Sequence, residues 1–411
     1  MLTIKVQNGR VADLKFSIAE FKRFYTQAIR GKDINAVPSM VSRICGTCSN
    51  AHLLCAIEAI EKSQKLEVTE QTKVLKRLLM NGLIIRDHGL HLYVFSLPDI
   101  YKKDSLLDFD EDNPEEHELL HDAFAVKGAG NLLGVWAGGR SVHAPYPAIG
   151  GFSVLPKQEE IVKVVAELEK ARPKVLKLIQ IFADSAFKQE EDVNFVALKN
   201  SSYDFLEGCI GNFKSPDICE FDYGKHLDLT IIPYSQAAGY TFNKEVFMVG
   251  ALARVNISKD KLHPSTIRDC QTVLSRFPSK NVFDNNLAQA IEILHSIDDS
   301  IEILKKIKIV KESPFKIIPK EGVGTGVIEA PRGTLYYKME VGDDGKVTRG
   351  QIVVPTGQNQ ILIEKTILHF VERNLHLSKE DLAFELEKII RAYDPCMSCA
   401  SHFLKIKWKN G

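Results

Sequence analysis

Arg43-Ile-Cys45-Gly-Thr-Cys48-Ser-Asn-Ala-His52 and Asp394-Pro-Cys396-Met-Ser-Cys399-Ala-Ser-His402 place two Cys-x-x-Cys pairs near opposite ends of a 411-residue chain. Brought together, four thiolates make a cage for a soft metal. Zinc ribbons use the same residue set, and a structural zinc site is the alternative reading, but ribbon pairs usually stand within about twenty residues on one small module. Here nearly the whole chain separates them. A site closed by both ends of a chain belongs to the core of the fold, which makes the metal central to what the protein does.

The composition is that of an ordinary globular protein. A 45% hydrophobic content supplies a sizeable core, and 53 Lys plus Arg balance 53 Asp plus Glu. No global field then favours nucleic acid or an anionic membrane, and no nucleic-acid partner is expected. Met1-Leu-Thr-Ile-Lys-Val6 lacks the apolar core of a signal peptide, and no segment reaches the roughly 18 apolar residues of a membrane span. The expectation is a soluble, cytoplasmic chain that reaches a membrane only through partners. Cys55, Cys209, Cys219 and Cys270 show no framework spacing, so they read as reduced, buried thiols. A pairing of Cys209 with Cys219, or a metal shared by them, is the alternative.

Residues 2–16 alternate polar and apolar around Asn8-Gly9, which predicts a hairpin. Ser17 and Glu20 form a capping box for a helix through Ile29, ended by Gly31. From Ser49 the apolar positions recur with helical spacing, putting Cys48 at a helix N-terminus, where the dipole favours a thiolate. Longer helices are predicted over 69–97, 157–186 with a kink at Pro173, 286–309, and from Lys379 with Ser378 as cap. The acidic stretch 104–118 reads as a solvated loop. Val323–Val341 with Lys346–Val354 reads as a strand pair around Asp343-Asp344-Gly345. The fold class expected is α+β, a long-helix bundle core with small peripheral β-sheets. One domain over 1–411 is expected, with the poorly readable residues 187–285 a candidate peripheral insertion.

These motifs closely resemble the large subunit of nickel–iron hydrogenases. Beside the two cysteine motifs stand Asp87-His88-Gly-Leu-His91, Gly138-Gly-Arg-Ser-Val-His143 with Gly150-Gly151, Glu329-Ala-Pro-Arg-Gly333 and Val354-Pro-Thr356, in family order over nearly the whole chain. The resemblance implies reversible heterolytic cleavage of hydrogen at a nickel–iron centre whose iron carries two cyanides and one carbon monoxide. Cys45 and Cys396 would be terminal nickel ligands, and Cys48 and Cys399 would bridge nickel to iron. Asp87, Pro331, Arg332 and Asp394 match the canopy over the open metal position. Arg332, or the Cys396 sulfur, would take the proton. Thr356 and Leu335 match neighbours of the iron's diatomic ligands, and His52 a histidine beside a bridging sulfur. An iron–sulfur small subunit is implied as electron partner, with further electron-transfer subunits beyond it.

Several positions depart from the family. Its relay glutamate precedes the hairpin and falls before Met1, leaving Glu58 and Glu329 as substitutes, though each reads more readily as structural. A magnesium-type ion would be held by His402, the Ile352 carbonyl and a glutamate position occupied here by Thr26, a weak ligand for a hard cation. His88, His91 and His143 read as packing or hydrogen-bonding residues. Phe403–Gly411 follows the histidine at which family precursors are cut. Its alternating lysines and apolar residues predict a retained strand near the N-terminal hairpin or the small-subunit face. Two other classes fit the same motifs less well: a hydrogen sensor with little turnover, and a metal-free structural relative like the corresponding subunit of respiratory complex I.

Overall fold

Helices long enough to cross the molecule stack around one apolar core, and small sheets close its flanks. The computed structural model describes residues 1–18, 23–312, 315, 317–395 and 406–410. The helices that matter for the site are α1 (Ser49–Ser63), α2 (Glu70–Leu90), α3 (Pro114–Gly138), α4 (Ile161–Ala183), α5 (Ala251–Ser258), α6 (Asp284–Lys306), α7 (Pro355–Arg373) and α8 (Lys379–Ala392). Thr69 caps α2 by accepting from the Thr72 N–H, and Ser378 caps α8 by accepting from Asp381. The Ser378 cap agrees with the sequence. The capping box built on Glu20 lies outside the described residues.

The predicted long helix over 69–97 is realised as α2 continued by a π-helical turn, His91–Ser96. Asp87, His88 and His91 therefore sit where the helix widens beside the core. Two expectations need correction. The acidic stretch is loop only as far as Asn113, whose side chain caps α3 at Pro114. The helix was hidden because Gly128, Gly130, Gly134 and Gly138 lower its intrinsic propensity. Gly130, Gly134 and Gly138 serve packing, whereas Gly128 meets open space. A Cβ on Gly130 would lie 2.6 Å from the Arg86 nitrogen, and one on Gly82 would lie 2.9 Å from the Gly134 nitrogen. α2 and α3 thus cross backbone to backbone one residue from Asp87. Gly130→Val is expected to force them apart and to lower stability by about 1–3 kcal/mol. A denaturant midpoint equal to that of the parent protein would show that the crossing tolerates bulk.

The second correction concerns the strands. Val323–Val341 is not one strand: it breaks at Pro331-Arg332, giving β-hairpin strands Gly322–Ala330 and Gly333–Val341 that pair from Gly322↔Val341 to Ala330↔Gly333. Proline cannot donate to a ladder, so the break falls there. Val347–Val353 adds a third antiparallel strand. Gly322, Gly324 and Gly326 alternate along the first strand, and any Cβ on them would strike the Ser63, Ala59 or Cys55 carbonyls. The strand can therefore lie directly on α1. This fixes the Arg332 turn relative to the cysteine helix. The predicted N-terminal hairpin is present as Leu2–Gln7 and Arg10–Phe16, and Ile406–Asn410 pairs in parallel with its first strand, Leu2 opposite Ile406. Among the described residues no helix is long and apolar enough to cross a membrane.

Candidate metal centre

Cys45 leaves a short 3-10 turn in extended conformation, and Cys48 is the residue on which α1 begins. Both are buried, with the Cys48 N–H donating to the Cys45 sulfur at 3.3 Å. The Cys48 thiol is drawn down to about 6, chiefly by its hydrogen bond with Cys45; burial opposes this, and His52 and the Arg332 charge assist. A thiolate at neutral pH is the form a soft metal binds. His52 stands one turn along α1 with Nδ1 2.8 Å from the Tyr337 hydroxyl. Burial keeps that phenol protonated. By donating to Nδ1 it leaves the Nε2 proton for the Cys48 sulfur.

The Gly138–His143 motif clasps the same loop. The Ser49 hydroxyl accepts from the His143 N–H at 2.9 Å and the Asn50 carbonyl oxygen from Ala144 at 3.1 Å. Arg86 donates to the Ser141 carbonyl at 2.7 Å and also to the Thr47 carbonyl. Ser141 and Thr47 are thereby tied through one guanidinium.

Above the cysteines, Arg332 occupies the tip of the hairpin turn and is 5% exposed. Its Nη1 donates to Asp87 Oδ2 at 2.7 Å, and its Nη2 lies 3.1 Å from Asp394 Oδ1. A guanidinium can span two carboxylates in this way because its donors form a rigid fork. Asp394 reaches it from the end of α8 with φ 46°, a left-handed cap that turns the chain back toward the core. Gln289 on α6 donates to Asp394 Oδ2 at 2.8 Å, and its carbonyl oxygen meets His91 Nδ1 at 2.7 Å. The amide orientation requires His91 to donate from Nδ1, and Nε2 faces the Arg391 carbonyl at 3.0 Å, with the Ser96 hydroxyl at 3.3 Å. Burial lowers the His91 pKa, against the Asp394 charge and the Gln289 hydrogen bond, which raise it.

The anchor of this turn was not legible in the sequence. Arg254 on α5 makes a bidentate pair with Glu292 on α6 at 2.6 and 2.7 Å and reaches Glu329 at 2.9 Å. It also donates to the carbonyls of Ala330 and Pro331, at 3.1 and 3.0 Å. Those two residues directly precede Arg332. Glu329 further accepts from the Leu198 N–H at 2.7 Å and from Thr334 at 2.8 Å, and Glu292 from Tyr203 and His88. Burial raises both carboxyls, but in Glu292 the Arg254 charge and its hydrogen bonds outweigh it and hold the group at about 2. In Glu329 burial prevails and the pKa rises.

Leu335 is fully buried on the second hairpin strand, Ile352 faces Tyr337 across the ladder, and Thr356 lies in the first turn of α7, whose Gln358 donates to the Thr334 carbonyl at 2.6 Å. Glu58 lies far along α1 from Cys48, paired with Lys62 beside a hollow of about 850 Å³; burial lifts its carboxyl to about 8. Cys396, Cys399 and His402 lie outside the described residues. Among the described ones no three His, Cys, Asp or Glu side chains form a metal cage. What the structure does place is Asp394-Pro395, within hydrogen-bond reach of Arg332 and immediately before Cys396. Of the other cysteines, Cys55 and Cys270 are buried as expected, whereas Cys209 and Cys219 are exposed, contrary to their reading as buried thiols.

A sequence profile described as nickel-dependent hydrogenase matches residues 23–123 and 219–402. The sulfhydrogenase 2 subunit alpha of Pyrococcus furiosus is 30% identical over 406 residues, covering 98% of this chain and 96% of the relative. The sulfhydrogenase 1 subunit alpha of the same organism is 31% identical over 413 residues, covering 98% and 95%. Among solved structures, an NAD+-reducing [NiFe]-hydrogenase in the H2-reduced state superposes with a TM-score of 0.83 at 22% identity, covering 96% of this chain and 94% of that one, and so shares the fold. The chain belongs to the nickel-dependent hydrogenase family.

Proposed function

We propose that the chain is the catalytic large subunit of a nickel–iron hydrogenase, a single domain over 1–411, interconverting hydrogen with protons and electrons. The observation that supports this most is the Arg332 guanidinium, held dry between Asp87 and Asp394 above a cysteine pair whose second thiol is drawn toward thiolate. Cys45, Cys48, Cys396 and Cys399 would hold nickel, with Cys48 and Cys399 shared with iron. The donor set fits, since two buried soft sulfurs lie beside a helix N-terminus and the second, Cys48, is drawn toward thiolate. When bound, a nickel–iron centre with cyanide and carbon monoxide on its iron supplies the two-electron chemistry.

The chain's own residues do the rest. Asp87 and Asp394 fix the guanidinium and keep it charged. His52, set by Tyr337, donates toward the Cys48 sulfur and moderates its basicity. The Cys396 sulfur would take the proton released from hydrogen; Arg332 would polarise it, and would take it at Nη only after passing its own proton to Asp87 or Asp394. Burial of Arg332 and both carboxylates excludes the water that would compete for it. Thr356 and Leu335 would stand beside the diatomic ligands, and Pro331 would belong to the canopy. Electrons leave through a partner carrying iron–sulfur clusters, an iron–sulfur small subunit with further carriers beyond it. The reduced state of Cys55, Cys209, Cys219 and Cys270 suits a cytoplasmic setting.

A magnesium-type ion fits less well. The hollow beside Thr26 and Gln351, about 550 Å³, is lined by Arg30, Lys338 and Arg349 against a single carboxylate, Glu340. Ile352 does not line that hollow, and Thr26 offers a hard dication only a neutral hydroxyl. Metal analysis of protein made with a full maturation system is expected to give nickel and iron in equal amounts, with infrared bands of cyanide and carbon monoxide. Zinc alone, without those bands, would overturn the reading.

A further inference from the structure

Cys209 and Cys219 flank an isolated antiparallel bridge between Ile210 and Ile218. Ile210 and Ile218 exchange both backbone hydrogen bonds, the Ile210 N–H to the Ile218 carbonyl and the reverse, each at 2.9 Å. They are therefore a hydrogen-bonded antiparallel pair, and the flanking residues, Cys209 and Cys219, are its non-hydrogen-bonded neighbours. Directly opposed residues of that kind lie about 4.5 Å apart at Cα with side chains on one face, inside the roughly 4.4–6.8 Å that a disulfide spans. The backbone supports the register on both sides. Cys209 is the strand residue paired with Lys199, and Cys219 is extended at φ −63°, ψ 139°. Burial supports the face: Ile210 and Ile218 both point into a small apolar cluster with Val196 and Leu198. Alternation then turns both cysteines outward together, and both are exposed free thiols.

We propose that Cys209 and Cys219 form a redox-responsive thiol pair that takes up a cross-strand disulfide by exchange with a low-molecular-weight disulfide such as oxidised glutathione. One thiolate attacks the glutathione disulfide and releases one glutathione thiol. The second thiolate displaces the other glutathione, closing the protein S–S bond. The two cysteine protons and the electron pair end on two reduced glutathiones, so the exchange balances without another oxidant. The bond closes a loop over Phe213–Asp217 and fixes the start of the turn Glu220–Lys225. That turn packs on the site's own hairpin: Tyr223 stacks on Tyr336 at 4.8 Å and donates to Gln351 at 3.0 Å, and Glu220 pairs with Lys62 of α1. The pair thus sits where oxidation stiffens the outer support of the Arg332 turn.

The full-length native protein is incubated in graded mixtures of reduced and oxidised glutathione, alkylated, cut with trypsin and run under denaturing, non-reducing conditions. Cleavage at Lys214, an exposed residue inside the loop, is expected to leave its two fragments joined in oxidised samples and separate in reduced ones. Peptide mapping is expected to show Cys209 and Cys219 lost from alkylation together, in one species lighter by two hydrogens. In Cys209→Ser the remaining Cys219 is expected to carry glutathione instead, with fragments that separate under all conditions. Separate glutathione adducts on each cysteine of the native chain, or disulfide-linked dimers as the main product, would overturn the pairing. Neither result depends on metal content, so failure here leaves the hydrogenase reading as it stands.

Discussion

Arg332→Lys is expected to lower hydrogen turnover roughly 10²–10³-fold, the range lost when one preorganised charge-stabilising donor is removed from an active site, while nickel and iron stay bound. The guanidinium uses one nitrogen for Asp87 at 2.7 Å and another for Asp394 at 3.1 Å. A lysine ammonium is a single centre on a flexible stem and cannot hold both carboxylates in one plane. It would settle on one and leave the other buried charge facing an open site, which costs orientation at the position where the proton is handled. Arg332 is no metal ligand, so metal analysis and the infrared bands of the diatomic ligands should persist in the variant. Retained bands with lost turnover place the defect in proton handling. Near-parental turnover with the same bands would remove Arg332 from the mechanism, and loss of the bands would make it a maturation residue instead.

Much of this arrangement could be read from residue order, and the reasons it could be are local. The helical pattern from Thr69, the cap at Ser378 and the apolar rhythm after Ser49 are all properties of a few neighbouring residues, and they recur in the structure as α2, α8 and α1. Asp87, Arg332 and Asp394 were singled out by motifs and do converge on one guanidinium. The failures share the opposite cause. α3 was missed because its glycines weaken the local helix signal while serving contact with a helix more than forty residues earlier in the chain. The hairpin break at Pro331-Arg332 was absorbed into one long strand because the flanking residues are β-formers on both sides. Arg254 carried no signal at all, since Ala-Leu-Ala-Arg-Val-Asn reads as an ordinary amphipathic turn. Only the fold shows that its three nitrogens reach two carboxylates and the two carbonyls leading to Arg332.

That placement makes Arg254→Leu the change with the largest expected cost to stability. Leucine fills part of the volume but leaves Glu292 and Glu329, both fully buried, without the cation they share. Removing one partner of a buried ion pair typically costs about 3–5 kcal/mol, because the remaining charge is desolvated and unopposed. The two carboxyls can escape by taking up protons, which gives the loss a sign with pH. Without Arg254 burial is opposed only by the hydrogen bonds from His88, Tyr203, the Leu198 N–H and Thr334, so the folded-state pKa values move up, above the unfolded value near 4.3. Groups raised in this way favour the folded state at low pH and lose that contribution as pH rises from the unfolded value through the folded one. The variant should accordingly be closest to the parent near pH 5 and furthest from it near pH 8. Adding Glu292→Gln and Glu329→Gln to Arg254→Leu should recover part of the loss at pH 8 and remove most of its pH dependence. Denaturant unfolding of the three proteins at both pH values measures this. A pH-independent loss would assign the cost to the leucine cavity, and a loss below about 1 kcal/mol would show that the Ala330 and Pro331 carbonyls, and with them the Arg332 turn, are held by the ladder rather than by Arg254.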